Sequence, residues 1–321
     1  FLSGNPTGIT ATSTGLAPLL EVPVGNTLTL VGGNLDINGP SSSVSPTLQA
    51  RSGRIELVSV ASAGEVLLAA EGGTPAFSTT GFATLGNVMV NSGARVTVAA
   101  VPAVPQSSVP GGFTSPAGTI VIRAGRLTVD GASSLIASTG GNTNAAPMAV
   151  DIQARTAVTV TSSSTIAATN QSPTAGIGNA GAVIIASETP STPMAVEISN
   201  NAAINTFYFN NGKAADVTID AGSVRIVTGG RIDQVNQGSG NSGTGGVIDL
   251  RASQSIYFGP QSSITAQNFN GTGAGAQIVL TSPGVTLEGA GPTQQAIIKG
   301  FTGGSGAASP VTFNVGTLDL T

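Results

Sequence analysis

The sequence contains no cysteine, no histidine and no tryptophan, and these absences exclude several kinds of chemistry. Without Cys there are no disulfides, and without His no Ser or Cys nucleophile can be paired with an imidazole base. Zinc sites built from Cys or His are excluded as well. Charge is also scarce: 8% of the residues are charged, with 11 basic and 15 acidic, which offers no basic surface for nucleic acid. We therefore expect no nucleic-acid partner, no metal and no cofactor.

Long apolar runs are missing too. No stretch approaches the roughly 18 residues that a membrane-spanning helix needs, so we expect no membrane insertion. The chain begins at Phe1 without a signal-type apolar segment, which indicates a processed or excised chain. The lack of Cys fits a bacterial chain that crosses a membrane unfolded, and we expect an extracellular or cell-surface location.

What the chain does contain is glycine and aliphatic residues. There are 45 Gly among 321 residues, the hydrophobic fraction is 40%, and the mean hydropathy is +0.28. This composition is too apolar for a disordered Gly/Ser-rich chain, because disordered chains contain few apolar residues. The Val, Ile and Leu residues must therefore be buried in a regular fold.

One pattern recurs along the chain: apolar-x-apolar-x-small, a turn, apolar-x-apolar, a second turn, then Ile and a small residue. It is clearest in Ile120–Ala124, Leu127–Val129 and Leu135–Ala137. The first apolar residues of the successive copies are Leu28, Ile55, Val88, Ile120, Val150, Val183, Val217, Ile248, Ile278 and Val311. Their spacing averages about 31 residues, which is typical of a solenoid.

The alternation within each copy has period two, so the pattern predicts short strands and no helices. Three strands per copy, stacked on their equivalents about 4.8 Å apart, would form three parallel sheets. We therefore predict an all-β fold, a three-sided parallel β-helix (β-solenoid) of about ten coils. Residues 28–321 would form one continuous domain and residues 1–27 an N-terminal cap segment. A sandwich or barrel of antiparallel hairpins is the alternative.

Three phrases of the N-terminal part resemble the filamentous-haemagglutinin-like family, in particular its large cyanobacterial members. They are Gly25–Ile37, Ser52–Ala61 and Phe1–Gly8. The later Gly-x-Val-x-Ile-x-Ala copies are similar to the repeats that follow in such proteins. The resemblance implies a right-handed β-helix, two-partner secretion, and a role as an adhesin, a filament or a toxin carrier. The chain lacks most of the family's N-terminal secretion domain, so the role of that domain does not carry over.

Parallel β-helices also include polysaccharide lyases and hydrolases, which place acidic residues on an outward sheet face. In the stacking pattern Asp220 lies beside Arg251, and Glu197 beside Arg225. Each acid then has a cation as its neighbour, which favours cross-strand ion pairs over a catalytic carboxylate pair. We expect no catalytic residues and no enzyme activity, with a polysaccharide-active enzyme as the weaker alternative.

Several apolar residues are predicted to point outward and could contact another molecule. Val121, Ile184 and Val279 fall on outward positions of the first strand, where a solvated sheet face would be more polar. Aromatic residues follow the third strand at Phe207, Phe269 and Phe301. These aromatics either stack on one another over an edge of the core or form part of a lateral contact surface.

The two ends of the repeat suggest assembly, because uncapped coils expose strand edges that pair with another chain. The chain stops after a second strand, and Ile9-Thr10-Ala11 resembles a third strand, so one copy would continue where another stops. The predicted contact residues are Ile9, Ala11, Val311, Phe313, Val315, Leu318 and Leu320. We expect a head-to-tail homopolymer that forms a fibre of the cell surface or biofilm matrix. The stalk of an adhesin is the alternative, and a cell-surface or matrix polysaccharide is the other candidate partner.

Overall fold

The structure is a computed structural model of the chain. It describes residues 6–15, 17–40, 45–65, 79, 81–101, 115–140, 142–170, 177–189, 192–209, 211–236, 242–269, 271–291 and 293–321. Within these residues there is no helix, and every pair of neighbouring strands is parallel. The predicted all-β, parallel architecture is confirmed, and the described residues contain no antiparallel hairpin of the kind a sandwich requires.

In the described residues the strands follow one another without other regular structure. They are β1 (Ile9–Thr12), β2 (Leu20–Glu21), β3 (Thr27–Gly32), β4 (Leu35–Asn38), β5 (Leu48–Gln49), β6 (Arg54–Ser59), β7 (Asn87–Asn91), β8 (Arg95–Thr97), β9 (Thr119–Val129), β10 (Ser134–Thr139), β11 (Met148–Val160), β12 (Thr165–Asn170), β13 (Ala182–Ser187), β14 (Ala195–Ile198), β15 (Ala203–Asn205), β16 (Val217–Ile226), β17 (Arg231–Asn236), β18 (Val247–Phe258), β19 (Ser263–Asn268), β20 (Gln277–Leu287), β21 (Ile297–Thr302) and β22 (Val311–Leu320).

Their pairing defines three ladders of stacked strands. The first ladder joins β3, β6, β13 and the N-terminal halves of β9, β11, β16, β18, β20 and β22. The second ladder joins β1, β4, β7, β14 and the C-terminal halves of the same six long strands. The third ladder joins β2, β5, β8, β10, β12, β15, β17, β19 and β21. The ladders are the three recurring strands of the sequence pattern, and they already include β1 and β2.

The ladders form two sheets in the described residues, whereas the sequence predicted three. The first and second ladders share one 13-stranded sheet and the third forms a 9-stranded sheet. The reason is that most first and second strands are continuous, so β11 alone runs for 13 residues. Register shifts between Ala154 and Ala157, and between Ala221 and Ser223, mark the corner. Such irregularities bend a strand without ending it.

Val88 does not begin a copy of the repeat, and that prediction was wrong. It pairs with Leu35 and Leu127 in the second ladder, whereas Ile55 pairs directly with Ile120 in the first. Residues 60–86 are therefore an insertion between the first and second strands of a single coil. The other nine predicted starting residues all lie on the first ladder.

The core consists of aliphatic columns that run along the ladders. Ile219, Ile248 and Leu250 are each 0% exposed, as are Val150 and Ile152. The inward positions predicted for these five residues, and the register of their strands, are thus confirmed. Because each inward residue stacks on its equivalent about 4.8 Å away, the core is continuous from one coil to the next.

The corner between the second and third ladders is unusually tight. Its backbone takes positive φ angles at residues that are mostly not glycine, among them Ser163 and Asn200. Adjacent corners bond to each other, since the Ser163 amide donates to the Asn200 carbonyl at 2.9 Å. Glycine is needed instead before the first ladder, where a Cβ on Gly118 would lie 1.7 Å from the Gly53 carbonyl oxygen. That distance is far below contact, so this corner requires a residue without a side chain.

Candidate interaction surfaces

Strand β22 forms an exposed apolar edge, which we call the C-terminal edge. Its side chains Val311, Phe313, Leu318 and Leu320 are 36, 37, 45 and 69% exposed. They continue the inward columns of the core, because they pair in order with Ile278, Leu280, Val285 and Leu287. Val315, the fifth predicted contact residue on this strand, is half-buried against the core. The edge is therefore an open cross-section of the core.

A pocket lies at one corner of this edge. It has a volume of about 560 Å³ and lies between the ends of β20 and β22 and the segment 288–296. Leu287, Ala296 and Leu320 supply its apolar lining, and Glu288 a carboxylate. The Glu288 carboxylate accepts a hydrogen bond from the Tyr257 hydroxyl. The pocket thus belongs to the same open cross-section and is not a separate closed cavity.

The opposite end presents β1, β2 and β3, which together we call the N-terminal edge. Ile9 pairs with Leu35 and Ala11 with Ile37, so β1 lies on the second ladder. The prediction that Ile9-Thr10-Ala11 is a third strand was therefore wrong. The Ile-x-Ala phrase is not specific to the third ladder, because alternating apolar residues mark all three. Ala11 is buried and Ile9 half-buried.

The predicted lateral surface on the first ladder is only partly exposed. Val121 is 1% exposed, so it offers no surface to a partner. Phe82, from the insertion, packs on the outward residue Val58, so the outward face in this region carries a second layer. Ile184 and Val279, farther along the ladder, are half-buried.

An ionic cluster ties the insertion to later coils. Arg155 pairs with Glu188, and its guanidinium also donates to the carbonyl oxygens of Ala83 (2.8 Å) and Phe82 (2.9 Å). The Thr79 hydroxyl donates to the same Glu188 carboxylate. The side chains of Arg155 and Glu188 are 21% and 9% exposed. Charge-assisted bonds of this kind are the strong ones, and here they connect segments more than 70 residues apart.

The three aromatic candidates do not form one stack. Phe207 and Phe301 lie on the third ladder three coils apart, with Val235 and Gln267 between them. Phe269 follows β19 at another position and is 44% exposed. The predicted aromatic stack over the core edge was therefore wrong. Phe269 and Phe301 remain exposed, whereas Phe207 is half-buried.

The strands of the third ladder end in a largely buried column of polar residues, which the sequence analysis did not predict. Its stacked members are Thr139, Asn170, Tyr208, Asn236, Asn268 and Thr302. The Asn236 amide donates to the Asn268 side-chain oxygen at 3.2 Å, and the Asn268 amide donates to the Gly273 carbonyl at 2.6 Å. Asn170 begins an Asn-Gln-Ser glycan acceptor pattern, but its side chain is 0% exposed. Three Ile-containing strands of the third ladder end in Asn, and this recurrence is the sequence signal that could have predicted the column.

We expect the buried Tyr208 phenol in this column to weaken the fold at alkaline pH. Burial raises the pKa of Tyr208 to about 12 from its ordinary value of 10.0. Below pH 10 the phenol is neutral in both states, so nothing is gained or lost. Between these two pKa values the unfolded chain ionises first, and the free energy of unfolding falls by about 1.4 kcal/mol per pH unit.

Urea unfolding of the wild type and Tyr208→Phe, at about pH 9 and about pH 11.5, measures this contribution. The variant should lose less stability over this interval, because Phe does not ionise. Tyr257, the other tyrosine, is common to both proteins. Equal pH dependence in the two proteins would contradict the assignment.

Of the two predicted cross-strand ion pairs, one is present in the structure and the other is not. Glu197 and Arg225 are partners in the second ladder with a closest N–O distance of 3.9 Å, as predicted. Asp220 and Arg251 also share a column, but Arg251 forms its ion pair with Asp249, at 2.6 Å. The predicted Asp220–Arg251 ion pair was wrong, because the long Arg251 side chain lies along its own strand face and reaches Asp249, two positions away. Exposed pairs of this kind contribute at most about 1 kcal/mol.

No group of three or more acidic residues in the described part of the chain is placed to hold a metal ion. No helix in that part is long and apolar enough to cross a membrane. No protein-family model, curated protein or solved structure matches this chain. The resemblance to the filamentous-haemagglutinin-like family therefore stays a prediction.

Proposed function

We propose that this chain is a structural β-solenoid whose copies stack head to tail into an extracellular fibre of the cell surface or biofilm matrix. The solenoid would be right-handed and three-sided, with about ten coils. Three ladders of parallel strands support the three sides, since each coil contributes one strand to each ladder. The extracellular location rests on the Cys-free composition and on the family resemblance.

The observation that carries the proposal is where the exposed large apolar side chains lie. Leu318 and Leu320 are exposed on the C-terminal edge, and Leu19, Leu20 and Val24 are exposed at or beside the N-terminal edge. Long apolar edge strands template pairing with another chain. The partner that best fits an open solenoid cross-section is another solenoid cross-section, which offers the same strand spacing and the same kind of columns. Head-to-tail contact of this type is heterologous and leads to an open filament.

The stalk of an adhesin is the second candidate, and one observation favours it. The third ladder already runs from β2 to β21 within a single chain, with each strand stacked on the next. A stalk needs only such stacking within one chain, and no contact between copies.

Negative-stain electron microscopy of the purified 321-residue chain tests the proposal. The wild type should form long, uniform fibres, and Leu318→Lys should give short single rods because a charge at the junction is costly to bury. Met89→Lys is the matched control, since Met89 is also an exposed apolar residue (39%) but lies away from both edges. Single rods of wild-type protein under all conditions would exclude the fibre and leave the stalk.

A further inference from the structure

Apolar side chains are exposed on a side of the solenoid as well as at its edges. Ile297 (48%), Phe301 (39%) and Phe269 (44%) lie on or directly after the neighbouring third-ladder strands β21 and β19. Lys299 lies between Ile297 and Phe301, and its ammonium nitrogen is 4.9 Å from the centre of the Phe301 ring. These four side chains, which we call the lateral patch, point away from the core, so a further coil would flank them without covering them. Exposed apolar groups clustered in this way mark interaction sites.

The third ladder is also the side on which cations outnumber acids. Its strands, with the two residues that follow each strand, contain four cations and two acids, although the whole chain has 11 basic and 15 acidic residues. The second ladder, counted in the same way, contains two cations and five acids. The cations of the third ladder are Arg51, Arg95, Arg231 and Lys299, and the acids of the second are Asp36, Asp130, Glu197, Glu288 and Asp319. The two sides are therefore opposite in charge, and complementary charge favours association and sets its orientation.

Opposite charges on these two sides lie on the same coils. Asp36 on β4 and Arg51 after β5 belong to one coil. Neither forms an ion pair in the part of the chain that the structure describes. Glu288 after β20 and Lys299 on β21 belong to another coil. Two copies that lie side by side in the same direction, without a shift, would bring each of these acids to the height of a cation.

An aromatic side chain of the second ladder lies at the height of the lateral patch. Tyr257 on β18 belongs to the same coil as Phe269, and its hydroxyl donates to the Glu288 carboxylate. Arg225 stacks on the Tyr257 ring at 4.7 Å and also pairs with Glu197, so its charge is compensated within the chain. The second ladder thus offers a ring beside a carboxylate, and the third ladder offers rings beside an ammonium group.

We propose that copies of this chain associate side by side, parallel and unshifted, with the third ladder of one copy against the second ladder of the next. The contact is heterologous, so it can repeat from copy to copy and thicken a fibre. It goes beyond head-to-tail stacking and does not depend on it, because both sides run along the solenoid whatever coils precede or follow. The charges are few and mostly exposed, so we expect a weak contact that high salt disrupts.

Sedimentation velocity of Leu318→Lys rods tests the proposal, because the introduced charge opposes contacts at the C-terminal edge and leaves the sides unchanged. At about 10 mM salt, where the Debye length is roughly 30 Å, these rods should form lateral oligomers. At about 1 M salt, where the Debye length is roughly 3 Å, they should sediment as single rods.

Exchanged charges in the same rods test the pairing between copies. Arg51→Glu should weaken association about five-fold or more, because an attraction becomes a repulsion, and Asp36→Arg should do the same. The double variant Arg51→Glu/Asp36→Arg restores opposite charges across the contact, so its association should return to within about two-fold of the parent. Lys213→Glu is the matched control, since it changes the net charge equally but precedes β16 on the first ladder, and its effect should stay within about two-fold.

The outcomes separate this proposal from its alternatives. Loss in both single variants with recovery in the double variant is the expected result. Loss without recovery would overturn the contact between copies, and Arg51-dependent binding of polygalacturonate would then identify an acidic polysaccharide as the occupant of the third ladder. Recovery only by Lys299→Glu/Asp36→Lys would overturn the parallel arrangement in favour of an antiparallel one. Wild-type protein without long fibres would overturn head-to-tail stacking alone, since Leu318→Lys rods do not need to stack to associate laterally.

Discussion

Replacing Ile219 by Asp is expected to lower the free energy of unfolding by about 4 kcal/mol or more. Ile219 is 0% exposed and stacks between Ile185 and Leu250. A carboxylate at this position would be surrounded by aliphatic side chains with no cation and no donor to satisfy it. The damage should extend along the rod, because each coil rests on its neighbours alone.

Urea unfolding followed by circular dichroism measures the effect, with two variants for comparison. Ser253→Asp adds the same charge at an exposed position of the neighbouring coil and should change stability by no more than about 0.5 kcal/mol. Ile219→Val keeps the column apolar and should cost about 0.5–1.5 kcal/mol. Wild-type stability of Ile219→Asp would show that the side chain is not in a dry core.

The columns could be predicted from the sequence because they repeat. Val150-Asp-Ile152, Val217-Thr-Ile219 and Ile248-Asp-Leu250 place an aliphatic residue at every second position and recur at nearly constant spacing. Period two fixes which side chains point inward, and the recurrence fixes which of them stack. The all-β, parallel architecture follows from these two facts.

Which of the three ladders a strand belongs to could not be predicted in the same way, because the alternation of apolar residues is the same on all three ladders. The sequence pattern assigns Val88-Met-Val90 and Ile9-Thr-Ala11 to the wrong ladders, since both belong to the second. For Val88 the cause is the insertion, whose length happens to preserve the apparent spacing. Only the pairing partners decide such cases, and these are distant in sequence.

The tight corners and the buried polar column also lie beyond local sequence signals. The backbone takes positive φ at Ser163 and Gln261, although such residues rarely do so. Bonds between neighbouring corners compensate for the strain, and these exist only after the coils have stacked. Likewise Asn236 and Asn268 resemble loop residues until their amides are seen to bond along the ladder.

Replacing Arg155 by Leu is expected to cost about 3–5 kcal/mol, because it leaves the Glu188 carboxylate nearly buried without its cation. The same change removes the bonds that hold Ala83 and Phe82, so the end of the insertion should open locally. The amide hydrogen-exchange rates of residues 81–86 should then increase much more than those of the core strands. Lys213→Leu breaks an ion pair with Asp216 in which both side chains are well exposed (46% and 36%), and it should cost no more than about 1 kcal/mol.

The double variant Arg155→Leu/Glu188→Leu separates charge from packing. Most of the loss in Arg155→Leu comes from an uncompensated carboxylate, so removing that carboxylate as well should restore a large part of the stability. Hydrogen exchange of residues 81–86 should nevertheless stay fast, because a leucine side chain in place of Arg155 cannot donate to the insertion's carbonyl groups. Full recovery of both stability and protection would show that the insertion is held by its apolar contacts alone, chiefly those of Phe82 with Val58 and Val60.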